Sequence, residues 1–427
     1  MALDTADPRE LPAAMTPALH TAANPGLDVA VRRVDGVPVC ALRVLLRGGA
    51  RLQGRPGEAW VCGRMLGEGT SRRSWREIAE QVDDRGMSLQ TFGAGDVHGL
   101  ALDALADDWE LALEIAAELL FEPAFPEDRF EWVREQTISD LESLGDEPDV
   151  LAGWAHQEQV YAPHPFAHPL QGTPAGLRSL RVEHCRAFHR AALQRGAVIA
   201  LAGEVSEPAV RARLERLFSD LDVAVVQSPD PPAPRGLGSP LRIAVPGEGQ
   251  AHLYAGCLTV PRHHLALPAL EVLGVVLGAG ESLHGRLPSR IREHEGLAYA
   301  VAVQTAAGSG LDPGRFVVYA GVPEVAIERA ESVLREELER LRHDGITQQE
   351  LDEARGYLLG VDPFRRETAR QWADLLAEGR FYGLPYDDVA WIRRRWSDID
   401  RDEIRDVARR LIPDRGLLVT MGVPEGT

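Results

Sequence analysis

Two side chains in the C-terminal half offer a chemistry that needs both. Arg292 and Tyr299 stand seven residues apart in the stretch RLPSRIREHEGLAYA, which begins at Arg286. A guanidinium presents a planar fork of donors to a carbonyl or carboxylate. A phenol can donate to an oxygen on which negative charge develops. By spacing alone the pair is more simply a surface arginine and a packed tyrosine.

Other chemistries have weaker support. A hydrolytic zinc site needs three protein ligands and an open position for water, and neither HExxH nor HxxEH occurs. His164 and His168 are four apart, but Pro165 and Pro169 argue against a ligating helix. With Asp140 they make a weak metal alternative. His184 and His189 are five apart on an expected helix, which puts them on different faces. His263 and His264 sit at a helix start. These histidines read best as surface or capping residues. No phosphate-binding GxxxxGK[ST] is present, and the GxG at Gly278 and Gly280 lacks a third glycine at the dinucleotide spacing. Cys40, Cys62, Cys185 and Cys257 are scattered without a CxxC pair, so they read as buried thiols rather than a disulfide framework or a cysteine-rich zinc site.

The elements that must position these groups repeat. Residues 29–47 read as a strand ending on Gly48 and Gly49. Residues 58–66 and 71–85 read as helices, 87–92 and 98–104 as a strand pair, and 109–120 and 127–144 as helices. A helix over 182–193 leads into an apolar strand, 197–202, and a further helix, 206–217. The proline-rich SPDPPAPRGLGSP, residues 228–240, is the clearest linker. Beyond it come a strand (253–260), an apolar helix (264–277), the glycine turn at Gly278 and a basic helix with Arg286, Arg290 and Arg292. Strands from Tyr299 and over 315–322 follow. Helices over 325–343, 347–360, 366–378 and 401–411 and a last strand over 416–423 complete the chain. AVIALAGEVSE resembles LLVTMGVPE, each after a helix with an acidic start, and FPEDRFEWVREQTISDL resembles ITQQELDEARGYLLG. A duplication into two α+β halves is inferred.

A chain of 427 residues, 44% of them apolar, can bury more than one core. The formal charge of −19 argues against nucleic acid or an anionic membrane surface as partner. No run approaches a membrane span, and MALDTADPRELPAAM has acids and prolines where a leader would want a basic start. A cytoplasmic protein is expected, with residues 1–24 as a loosely held arm.

The R…GLAY motif and the stretch WVCGRMLGEGT, which begins at Trp60, together resemble the M16 peptidases: the pitrilysin, insulinase and mitochondrial processing peptidase group, and its bacterial M16B branch above all. The resemblance covers residues 29–422. It implies a LuxS/metallohydrolase-like α+β fold of two homologous halves, each a mainly antiparallel mixed sheet covered by helices, at 25–227 and 241–427. Active members carry HxxEH followed by a stretch like MLFKGT. Anchored on Met65, Leu66, Gly69 and Thr70, the first histidine falls on Trp60, the general-base glutamate on Gly63 and the second histidine on Arg64. The distal glutamate ligand falls on or near Asp140. The zinc centre is therefore expected to be absent and no metal is assigned to this chain.

Arg292 and Tyr299 fall on the family's arginine and tyrosine, which bind substrate backbone and stabilise the tetrahedral intermediate in trans. The turn GAGES has about one residue more than usual before Arg286. The edge strand that binds peptides in the family corresponds to residues 87–93, with Leu89, Gln90, Thr91 and Phe92 as substrate-binding candidates. The resemblance implies a subunit inactive alone. Its partner would be a homologous HxxEH subunit holding the zinc, and its substrate a peptide or unfolded polypeptide. In isolation the chain could form a homodimer. The alternative is an inactive scaffold or interaction protein of the same family.

Overall fold

The computed structural model describes residues 19–20, 26–218, 230–236, 238–247, 249–280, 285–386, 388–412 and 417–424. Nearly all of the expected N-terminal arm, residues 228, 229 and 237 of the linker, and Glu281 and Ser282 of the glycine turn lie outside them.

The chain divides into two compact units, neither of them contiguous in sequence. The first comprises Met1–Ser139, Pro169–Pro231 and Pro363–Val389. The second comprises Asp140–His168, Pro232–Asp362 and Ala390–Thr427. The expected division at the linker is therefore incomplete, because each half lends a segment to the other's unit.

In the first unit the strands are β1 (Leu19–His20), β2 (Leu27–Arg33), β3 (Val39–Arg47), β4 (Ser88–Gly93), β5 (Val97–Leu105) and β6 (Ala197–Gly203). Their order is β1-β2-β6-β3-β5-β4, with β2 and β6 parallel and the rest antiparallel. In the second unit they are β7 (Leu241–Val245), β8 (Gln250–Leu258), β9 (Ala300–Ala307), β10 (Arg315–Pro323) and β11 (Leu418–Pro424), ordered β7-β11-β8-β10-β9. There β7 and β11 are parallel and the other pairs antiparallel. Setting β1 aside, the two orders superimpose strand for strand, which is the duplication expected from the sequence. The matched segments AVIALAG and LLVTMGVP fall on β6 and β11, the equivalent strands. Leu27–Arg33 and Leu241–Val245 were not separated as strands by the sequence pattern. Both are short partners whose pairing is set by tertiary contact rather than by strict alternation.

The helices are α1 (Glu58–Met65), α2 (Trp75–Asp84), α3 (Trp109–Phe121), α4 (Glu127–Leu144), α5 (Pro148–Tyr161), α6 (Pro174–Arg178), α7 (Val182–Gln194), α8 (Glu207–Leu217), α9 (Leu267–Leu277), α10 (Arg286–Pro288), α11 (Ile327–Asp344), α12 (Gln348–Val361), α13 (Ala369–Tyr382), α14 (Val389–Asp398) and α15 (Arg401–Leu411). Their starts follow local chemistry. Ser74 with Glu77, Thr347 with Glu350 and Thr368 with Gln371 form capping boxes, each satisfying backbone N–H groups that a first turn leaves without partners.

The sheet of the first unit has a large-residue face and a small-residue face. In the first unit Leu42, Val44, Leu100, Leu102, Ile199 and Leu201 pack with α3 and α8. The opposite face is Ala30, Ala41, Ala200 and Ala202, and α13 lies on it through Trp372, Ala373, Leu376 and Ala377. Arg43 is buried beneath this helix and paired with Asp103 and with Asp374 of α13. Arg32 lies 3.5 Å over the Trp372 ring, a cation–π contact. In the second unit α5 takes the equivalent place on β8 and β11. A Cβ on Gly422 would lie 2.9 Å from Ala152, and one on Gly256 3.1 Å from His156. Thus α5 and α13, which follow the matched helices α4 and α12, are exchanged between the two halves of the chain.

Two predictions follow from this packing. A fragment ending at residue 231 lacks α13, leaving the alanine face bare and Arg43 deprived of one partner. It is expected to be insoluble or molten on its own and to become soluble on co-expression with residues 232–427. A monomeric, cooperatively unfolding 26–231 fragment would contradict the exchange. The second concerns His156, buried by α5 on the sheet, whose pKa burial pushes down to about 3, with Arg315 adding to it. The unfolded chain therefore binds a proton more readily than the folded one below the usual histidine value. Stability present above about pH 6.5 should fall by up to about 1.4 kcal/mol per unit towards pH 3 from this group. H156Q should flatten that part of the stability–pH profile in urea titrations.

Candidate functional site

The expected zinc helix exists as α1, and it has no room for a zinc site. Trp60, Gly63 and Arg64 lie on it. It crosses strand β4 glycine against glycine. A Cβ on Gly63 would sit 2.2 Å from the Gly93 amide nitrogen and the Phe92 carbonyl carbon. A Cβ on Gly93 would sit 1.9 Å from the Ala59 carbonyl oxygen. Backbone stands where a glutamate side chain would have to begin, so that position could not take one without moving helix or strand. Arg64 directs its guanidinium to the Thr137 hydroxyl of α4, at 3.4 Å, and Thr91 Oγ1 donates to the Arg64 carbonyl at 3.3 Å. The residue of α4 facing this helix is therefore Thr137, buried, and not Asp140, which is exposed one turn further on. A cation, an indole and a glycine offer no zinc ligand, and the residues present do not fit that metal.

The candidate peptide strand is β4. It pairs only with β5 among the described residues and forms the edge of its sheet. Leu89, Thr91 and Phe92 are partly buried and Gln90 is exposed.

The basic segment departs from a plain helix. After the single turn Arg286–Pro288 the backbone widens into a π-helical turn, Ser289–His294. Such widened turns are uncommon and recur at functional sites. Glu295 N–H donates to Arg290 O at 3.2 Å and Leu297 N–H to Ile291 O at 3.0 Å. Gly296 closes the turn at φ +65°, a left-handed conformation that suits glycine. Leu287 and Ile291 anchor the segment in the core. The three arginines separate by role. Arg286 holds Glu350 through two nitrogens, at 2.6 and 2.8 Å, and the guanidinium keeps that carboxyl well down, at about 2. Arg290 pairs with Glu295 at 2.9 Å. Arg292 lies 3.4 Å from Glu293 at a partly exposed position. Tyr299, next to edge strand β9, is 94% exposed. The alternative of a packed tyrosine is thereby overturned.

The histidines divide in a way the sequence did not reveal. His164, His184 and His264 accept backbone N–H groups through Nδ1, from Phe166, Arg181 and Ala266, as capping residues do. His164 Nε2 lies 3.2 Å from the Asp312 carboxylate, and a metal site with His168 and Asp140 gains no support among the described residues. His189 is not a surface residue. It is buried against His98 of β5 and Cys62 of α1, and the donor atoms of the three all lie within 4.8 Å of one another. No other such group occurs among the described residues. The signal was weak because the members come from three distant segments. A histidine in the apolar run of β5 was the one local hint.

The family model described as Insulinase (Peptidase family M16) matches residues 28–173, and the one described as Peptidase M16 inactive domain matches residues 179–358. An uncharacterized zinc protease of Mycobacterium leprae (strain TN) is 26% identical over 396 residues, covering 91% of this chain and 88% of the relative. A protein of Helicobacter pylori named non-peptidase homolog YmxG is 23% identical, covering 87% and 85%. Among solved structures, a peptidase M16 inactive domain from Pseudomonas fluorescens superposes with a TM-score of 0.85 at 22% identity, covering 94% of this chain and 97% of that one. A protease from Helicobacter pylori gives 0.86 at 19%, covering 93% and 97%.

The α1–β4 contact is testable. G63A should destabilise the chain by about 3 kcal/mol, the upper range for overpacking, as read by urea unfolding. Rebuilding the motif as W60H/G63E/R64H should lower the thermal midpoint further and add no zinc beyond what wild type retains. A triple variant as stable as wild type that gains a zinc equivalent would show that the helix has room after all.

Proposed function

Because the chain belongs to the peptidase M16 family, we propose that it is the arginine–tyrosine subunit of a two-chain metallopeptidase of the M16B kind. A homologous partner brings HxxEH and zinc. This chain brings Arg292, Tyr299 and part of the chamber wall. The observation that carries the reading is Tyr299 itself. Its segment is pinned by buried Leu287 and Ile291, yet its phenol stands almost wholly in solvent. A large aromatic side chain held at an exposed position by a rigid, irregular turn suits a group that acts on something outside its own chain.

In that role Arg292 binds a backbone carbonyl of the peptide through its donor fork, and Tyr299 donates to the oxygen of the scissile carbonyl as it becomes anionic. The edge of β4, from Leu89 to Phe92, receives an extended peptide by strand addition. Substrates are peptides or unfolded segments. The four thiols, all free and buried, suit a reducing cytoplasm. No helix among the described residues is long and apolar enough to cross a membrane.

A second reading is a scaffold or interaction protein, and the relative named a non-peptidase homolog favours it. Tyr299→Phe in the reconstituted pair separates the two. The subunit reading expects kcat to fall by about 10²–10³ with KM little changed, the usual effect of removing one oxyanion donor, while co-elution of the two chains is retained. Unchanged turnover with assembly intact would leave the scaffold. Peptidase activity of the chain alone, abolished by a chelator, would overturn both.

A further inference from the structure

The Cys62, His98 and His189 cluster belongs to neither reading. His98 and Cys62 are fully buried and His189 nearly so. The rings are held by backbone carbonyls, which can only accept. His98 Nδ1 lies 2.8 Å from Gly48 O, and His189 Nε2 lies 2.7 Å from Leu120 O. Each ring therefore donates its one N–H outward. The two nitrogens left without hydrogen, His98 Nε2 and His189 Nδ1, face each other at 3.1 Å. Two lone pairs at that distance repel unless a cation lies between them. The Cys62 thiol stands beside them, 3.5 Å from the Cys185 carbonyl and close to the Cys185 thiol and the His189 backbone. Phe188 and Phe125 pack on the two imidazoles and exclude water.

Imidazoles whose second nitrogens donate to carbonyls have the arrangement that fixes histidine metal ligands. Ligand atoms around a three-coordinate ion stand about 3.5 Å apart, given bonds of about 2.0 Å to nitrogen and 2.3 Å to sulfur, so shifts of about 1 Å suffice. We propose that Cys62, His98 and His189 form a buried three-coordinate site for a soft metal ion, and that the ion is monovalent copper. Sulfur and imidazole donors without a carboxylate select copper(I) or zinc over hard cations. Charge decides between them. One thiolate and two neutral imidazoles neutralise a single positive charge, whereas zinc would leave one uncompensated in an apolar interior. Of the charged groups nearby, Glu58 acts on Cys62 and Arg195, of opposite sign, on His98. Binding displaces the thiol proton to solvent and requires no redox step. Cys62 lies between the motif positions Trp60 and Gly63 but on the inner side of α1. The site is thus distinct from the lost zinc centre, and it would give this chain a metal that its motif does not announce.

The test uses the full-length chain, purified anaerobically after expression in copper-supplemented or zinc-supplemented medium. Metal content after gel filtration and competition with a copper(I) chelator are measured. Stoichiometric copper in wild type is expected. C62S and H189Q should each weaken competition by about 100-fold or more. Copper-edge X-ray absorption of wild type should show one sulfur and two nitrogen neighbours, a readout independent of whether the variants fold. Zinc retained in preference to copper would overturn the assignment of the ion. Absence of retained metal in wild type, or copper loading unchanged in a folded C62S, would overturn the site.

Discussion

The constraint on which the first sheet rests is that one of its faces is made mostly of alanine. Such a face cannot bury enough apolar surface by its own side chains. It is stable only under a helix that comes close, and α13 does so; on the second sheet α5 takes the equivalent place, over Gly256 and Gly422 and beside Tyr254. Close approach is what the small residues permit: a Cβ on Gly256 or Gly422 would already crowd the helix above it. The buried Arg43 adds a polar condition to the apolar one, since a guanidinium at that depth is tolerable only with its carboxylates in place.

Close approach of backbone also shapes the degenerate motif helix of the first unit. Helix α1 and strand β4 touch through Gly63 and Gly93. What separates this chain from an HxxEH peptidase is thus more than three exchanged side chains. Backbone of β4 stands where a glutamate side chain at position 63 would begin. The segment 286–299 of the second unit has the opposite character, with a turn anchored by Leu287 and Ile291 that leaves the Tyr299 side chain exposed.

Much of this was legible in the sequence. Amphipathic spacing and capping residues located the long helices, with α4 and α15 placed residue for residue, because those signals are local. The motif remnants placed Trp60, Gly63 and Arg64 on α1 for the same reason. What was not legible depended on contacts between distant segments. Helix α5 was obscured by its glycine and histidine, which serve a sheet far along the chain. The π-turn at Ser289–His294 read as ordinary helix, since no residue type encodes the widening. Asp140 appeared as the distal ligand by counting, yet Thr137 faces Arg64. The Cys62–His98–His189 group joins a helix, a strand and a second helix, and no spacing rule spans them.

The pairing of Arg43 with Asp374 joins residues 331 positions apart. At ribosomal speeds of about 5–20 residues per second, roughly 20–70 s pass between synthesis of the arginine and of its partner. During that interval the first sheet emerges with its alanine face uncovered, and α5 precedes β8, on which it packs, by about ninety residues. Completion of both units therefore waits on the arrival of residues beyond 363.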